Sequence, residues 1–126
     1  MRPESLAEVA RLAAAGDSFD RCLANFLDGF YAAPSAKALL ERPERLVGLN
    51  LNSGNIADAY LAATAEELAR DFDLPCPGWT TEEGRHLHRP WFASPLASLR
   101  AVLLHESPPS FRSRNLFVSA NALSRA

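Results

Sequence analysis

Apolar positions recur at helical spacing along most of the chain, and the breaks in that spacing divide it into short helices. Leu6, Val9, Ala10 and Ala13 lie three or four residues apart, with Glu4, Glu8 and Arg11 elsewhere on the wheel, which predicts a first helix over residues 4–15. Gly16 is a natural stop, because glycine accepts the left-handed conformation at a helix end. Asp17 or Ser18 then caps a second helix by accepting from the free amides of its first turn. Phe19, Cys22, Leu23, Phe26, Leu27, Phe30 and Tyr31 form one wide apolar stripe on that helix, the pattern of a helix seated on a core. Pro34 closes it, since proline cannot continue the hydrogen-bond ladder and restrains the residue before it.

The next segments are shorter. Ser35 opens a brief helix through Leu40, and Pro43 suits the first position of another turn over 43–48. The polar cluster GLNLNSGN, residues 48–55, reads as a loop, and without a lysine it does not resemble a phosphate cradle. Asn55 is expected to cap a long alanine-rich helix, IADAYLAATAEELARDF, whose small residues would let another helix approach closely. After the proline-marked LPCPGW, Thr80 and Glu83 fit a capping box, with Gly84 keeping any helix short. Ser94-Pro95 predicts the start of a helix over 95–105 with Leu96, Leu99, Val102 and Leu103 as its apolar face. Ser107-Pro108 repeats the signal for one turn, and residues 116–120 are expected to be extended, followed by a turn capped by Ser119. No strand partner is expected for that segment. The resulting fold class is all-α: a single domain over 1–126, an irregular bundle of about five helices with an extended C-terminal wrap.

Composition agrees with this reading. An apolar content of 48% in 126 residues supports a real core, and no apolar run approaches the roughly 20 residues needed to span a bilayer. The N-terminal segment carries charges within its apolar pattern and lacks the continuous apolar stretch of a signal peptide, so a cytoplasmic location is expected. Cys22 falls in the core stripe and Cys76 between prolines, which reads as one buried and one loop thiol, both reduced.

Charge changes the picture more. Residues 1–84 hold seven basic against fourteen acidic side chains, a balance of −7, whereas residues 85–126 hold six arginines against Glu106 alone, a balance of +5. Such asymmetry points to a nucleic-acid face or to a last third that folds against the first. The tail SPPSFRSRNLFVSANALSRA, residues 107–126, concentrates the question with three arginines, two phenylalanines and no acid. For nucleic acid, Arg112 and Arg114 would neutralise phosphates while Phe111 and Phe117 stack on bases. For a tail docked on its own body or on a partner, the apolar residues are anchors and the arginines a polar rim. The favoured reading is a non-enzymatic protein–protein interaction module, with Phe111, Arg112, Arg114 and Phe117 as the contact patch and Trp79, Trp91 and Phe92 next, since aromatics and arginine carry interface energy. Its expected partner is another protein or a second copy meeting through the helix at 56–68.

Catalytic constellations are weak. Cys76, His86 and His88 would supply three zinc ligands, but the spacing is not one that builds a known zinc site, and no metal site is assigned. No serine lies in a nucleophile turn, and the acid pairs Glu66-Glu67 and Glu82-Glu83 face different ways on a helix. No catalytic residue and no cofactor is assigned. Arg100 and His105, five residues apart, resemble the arginine–histidine signature of the HEPN helical ribonucleases, which implies phosphate holding and proton transfer in a dimer. Ala101 departs from that family's polar residue after the arginine, and five residues place the pair about 140° apart on a helix. The run PWFASPLASLRAVLLHESPPSFRSRNLFVSANALSRA resembles the C-terminal part of a family of short bacterial proteins of unknown function, encoded beside nucleotidyltransferase-like or toxin–antitoxin-type genes. That resemblance implies a regulatory or partner protein of the bacterial cytosol and brings no catalytic residues.

Overall fold

The structure is a computed structural model that describes residues 2–49, 53–94 and 96–125. The chain is mainly helical. Helix α1 (Leu6–Ala14) is capped by Ser5, whose hydroxyl accepts from the Glu8 amide at 3.1 Å. Gly16, at φ +113°, makes the turn out of it. Helix α2 (Phe19–Ala32) is capped by Ser18, which accepts from the Arg21 amide at 3.2 Å, while Asp17 pairs with the Arg21 side chain instead. The apolar stripe of α2 is buried at Cys22, Leu23, Phe26, Leu27 and Phe30, as its spacing predicts, and packs against α1. Helix α3 (Lys37–Leu40) is a single turn.

Helix α4 (Gly54–Asp71) starts two residues earlier than expected, with Ser53 at its cap position; Asn50, Leu51 and Asn52 of the predicted loop lie outside the described residues. This helix is the spine of the fold. Ala59, Leu61, Ala62, Ala63 and Ala65 are all fully buried, so the small side chains expected to receive a second copy are consumed by the chain's own elements. The physical reason is local: α6 (Pro109–Arg112) and the tight turn Gly78–Thr81 both press on it, and Phe19 of α2 meets Tyr60 edge-on at 6.2 Å.

Three local expectations change. Residues 43–46 take no regular structure rather than forming a helical turn, and the Asp58 carboxylate holds the amides of Leu46 and Val47. Thr80 and Glu83 form no capping box; the Thr80 hydroxyl donates to the Pro77 carbonyl at 2.8 Å, and its side chain is buried. The helix expected over 95–105 is a turn at Ala97–Leu99 leading into α5 (Arg100–Glu106), with Pro95 outside the described residues.

The C-terminal segment also has a strand partner that the pattern of the chain does not reveal. Strand β1 (Trp91–Phe92) runs parallel to β2 (Leu116–Phe117), with Trp91 opposite Leu116 and Phe92 opposite Phe117. Two residues are too few to show alternation. The pairing is extended by the Leu87 amide donating to the Arg114 carbonyl at 3.1 Å and the Ala93 amide to the Phe117 carbonyl at 2.9 Å. Asn115, at φ +63°, turns the chain between α6 and β2 and donates its side-chain amide to the Leu87 carbonyl at 2.7 Å.

Beneath this lies a buried ionic junction. The fully buried Asp58 accepts from the Leu46 amide at 2.7 Å, the Val47 amide at 3.1 Å and Arg45 Nε at 3.1 Å. Gly54 makes room for the same strap, since a Cβ there would fall on the Leu46 carbonyl. Arg85, also fully buried, lies 3.8 Å from Asp58, donates to the Pro43 carbonyl at 2.7 Å and to the Asp58 carbonyl at 3.3 Å, and stands 5.0 Å from the Trp79 ring centre. Trp79 in turn donates from its indole to the Leu39 carbonyl at 3.0 Å.

Removing the Asp58 carboxylate takes the acceptor from the Leu46 and Val47 amides and from Arg45, and leaves buried Arg85 with Glu82 alone, among the described residues, as its counter-charge. Asp58→Ala is therefore expected to destabilise the fold by about 3–5 kcal/mol, read by urea denaturation, far more than an exposed acid such as Glu4→Ala. The two thiols provide a second check on the packing. Cys22 is buried, with its pKa pushed up first by burial and then by Asp17, whereas Cys76 is exposed. In the native protein one thiol equivalent is expected to react promptly with a disulfide reagent, and the second only on unfolding.

Candidate interaction surface

The residues expected to meet a partner are for the most part interior. Phe111 is fully buried and stacks edge-on against Tyr60 with 4.9 Å between ring centres. Phe117 is buried and stacks on Phe92 at 5.1 Å. Arg114 is buried and makes three kinds of contact: an ion pair with Glu66 at 2.6 Å, and bonds to the Ser110 carbonyl at 2.8 Å and the Thr80 carbonyl at 3.0 Å. Trp79 belongs to the ionic junction below the surface. Trp91 and Phe92 are half-buried on β1. Of the expected contact patch only Arg112 is exposed, and it donates to the Ser107 carbonyl at 2.7 Å.

The tail thus docks on its own chain. Three of the six arginines after residue 84 find acids before it: Arg85 pairs with Asp58 and Glu82, Arg114 with Glu66, and Arg125 with Asp28 at 2.9 Å. The Tyr31 hydroxyl donates to the Leu123 carbonyl at 2.7 Å, and Leu123 itself is buried. Ser107 ties the return path. Its hydroxyl accepts from the Val118 amide at 2.8 Å and donates to the Leu103 carbonyl at 2.6 Å.

Exposed large apolar side chains also occur at Tyr31, Leu40, Val47, Leu49 and Phe72, but the largest group close together in sequence is in the α5 region. Leu103 faces inward, but Leu96, Leu99, Val102 and Leu104 are 59%, 40%, 48% and 47% exposed. Four large aliphatic side chains within nine residues exceed the scattered apolar exposure of an ordinary surface. Arg100 opens this helix with its guanidinium 5.2 Å from the Phe92 ring centre, and Arg112 sits at the carbonyl just past its end. Neither has an acidic partner among the described residues. Glu106, the nearest acid in sequence, accepts from the Ala120 amide at 3.1 Å. The sequence signal for this face was present: Leu96, Leu99, Val102 and Leu103 share one stripe, and only Leu103 of them enters the core.

Beside α5 runs a cleft of about 910 Å³, bounded by the first turns of α2 and α4 and by the C-terminal segment, with Trp91, Leu99 and Leu103 in its wall. Burial, and then the charge of Asp20, push the Tyr60 phenol in this cleft up to about 12. Elsewhere the titrating groups are dispersed. Desolvation, then the Arg114 charge, pushes His86 below the ordinary imidazole value. Among the described residues no group of three or more His, Cys, Asp or Glu side chains stands close enough to hold a metal ion, so Cys76, His86 and His88 are not gathered into one site. Arg100 and His105 are both exposed on α5, and the arginine is occupied by the Phe92 ring. No helix among the described residues is long and apolar enough to cross a membrane.

The ion pairs of the docked tail make its attachment sensitive to acid. Burial alone would raise the Glu66 carboxyl, but the Arg114 bond and charge outweigh it and hold the group below its ordinary value. The bond from Arg125 holds Asp28 down in the same direction. Carboxyls depressed in the fold bind fewer protons there than in the unfolded chain, so their contribution is complete above the ordinary carboxylate range and fades as pH falls through the folded values. Glu66→Gln is expected to lower the melting temperature at neutral pH and to flatten the acid limb of the stability curve, the difference from wild type shrinking below about pH 4. Comparison with protein-family models, with curated proteins and with solved structures returns no significant match for this chain.

Proposed function

We propose that the protein is a non-enzymatic interaction module whose α5 face receives an acidic, amphipathic segment of a partner protein. The observation that carries this reading is the run of exposed aliphatic side chains at Leu96, Leu99, Val102 and Leu104, on α5 and the turn that leads into it, with Arg100 at the start of the helix and Arg112 beyond its end. Apolar area supplies the driving force for association, and the two arginines bias the choice of partner toward negative charge. The charge asymmetry of the chain does not by itself support a nucleic-acid face. Arg85 and Arg114 are buried, Arg125 is paired, and the rings of Phe111 and Phe117 are covered, which leaves three exposed, unpaired arginines and no tail phenylalanine to stack on bases.

The test is capture of the tagged full chain from its native host, with nuclease added to half of the sample, alongside Val102→Glu. The variant places a charge at an exposed position, so its melting temperature is expected to match wild type. One dominant protein is expected to survive nuclease with wild type and to be lost, by on the order of tenfold or more, with Val102→Glu. Recovery of nucleic acid with loss of all protein on nuclease treatment, or a partner indifferent to Val102→Glu, would overturn the reading.

A further inference from the structure

The cleft beside α5, which shares Leu99 with the exposed face, carries a further inference of its own. Its volume, about 910 Å³, lies within the range of small-molecule sites. Its floor is aliphatic and already closed, with Leu23, Leu27 and Val118 all buried. Three aromatic residues line it: Phe19 and Tyr60, which meet edge-on at 6.2 Å, and the half-buried Trp91.

Charge decides what this space selects. Apart from the Tyr60 phenol, the titratable groups of the lining are Asp20 and Arg125. Arg125 is spent: its guanidinium holds Asp28 through two bonds, at 2.9 and 3.4 Å. Asp20 has no ion pair and no hydrogen bond among the described residues, since the neighbouring Arg21 turns to Asp17. Its charge nevertheless acts on the Tyr60 phenol, so it belongs to the same space. An apolar cleft lined by aromatic residues, with one carboxylate that has no ion-pair partner among the described residues, favours a positively charged guest over an anion. A neutral guest gains only from the walls. A guest carrying diffuse positive charge gains from the ring quadrupoles and from Asp20 as well.

We infer that the cleft lined by Phe19, Tyr60, Trp91 and Asp20 is a binding site for a small organic cation of the quaternary-ammonium type. The ring faces and carboxylate supply recognition, and the aliphatic floor accommodates the methyl groups.

The experiment compares choline with 3,3-dimethylbutan-1-ol, a neutral molecule of the same shape, titrated into the full chain. Binding is read from the indole N–H signals of the two tryptophans by NMR, assigned with Trp91→Phe. Choline is expected to shift the Trp91 signal saturably at millimolar concentration while the Trp79 signal, bonded inside to Leu39, stays in place. The neutral analogue is expected to bind roughly tenfold more weakly, and Asp20→Asn to remove most of that preference while leaving the melting temperature unchanged. Equal affinity for the two probes, a preference that survives Asp20→Asn, or no saturable shift of Trp91 would each overturn the assignment.

Discussion

A single buried pair, Asp58 with Arg85, holds together parts of the chain that no apolar pattern would join. Asp58 sits near the start of the central helix and gathers the amides of residues 46 and 47, while Arg85 reaches from beyond the proline-marked connection to the carbonyls of residues 43 and 58. Two segments without regular structure, residues 43–47 and the stretch that carries Arg85, are thereby fixed to one helix. A pair of this kind gains little net stability over an apolar replacement of equal volume, but each charge is costly without the other. The junction therefore acts mainly on which arrangement forms, and the tryptophan ring under the guanidinium closes it from the side.

The last third of the chain folds onto a surface of complementary charge. Glu66 and Asp28 stand on α4 and α2, and each meets an arginine from the C-terminal segment. The same segment brings in Phe111 against Tyr60 and ties Ser107 to Val118, so apolar burial and hydrogen bonding act at the places where the charges meet. This arrangement leaves few basic groups of the last third for external partners, and two of those, Arg100 and Arg112, stand at the two ends of a helix whose aliphatic side chains are also outside.

The helices with strong periodicity were legible in the chain itself. The α2 stripe and the alanine-rich α4 have enough residues for spacing to identify a buried face, and Ser18 and Gly16 mark ends through local backbone chemistry. The junction was not legible, because an aspartate and an arginine 27 residues apart leave no periodic mark and each looks like an ordinary surface charge. The two-residue strands escaped for the same reason of length. The tail's aromatics were rightly read as anchors, but whether an anchor enters a partner or its own chain depends on which surface lies within reach, and spacing carries no information about that. The α5 face is the converse: its stripe predicts burial, and the fold finds room for only one of its residues.

The bond from Tyr31 to Leu123 and the pair of Asp28 with Arg125 join positions 92 and 97 residues apart. During synthesis, α2 can coil and pack on α1 while the sequence that will cover its outer side is still inside the ribosome. Until residues 123 and 125 emerge, that side of the helix and the neighbouring Leu23 and Leu27 are without this cover. The contacts of the wrap are thus of long range in sequence, the kind that return stabilisation only after the loop between them has closed.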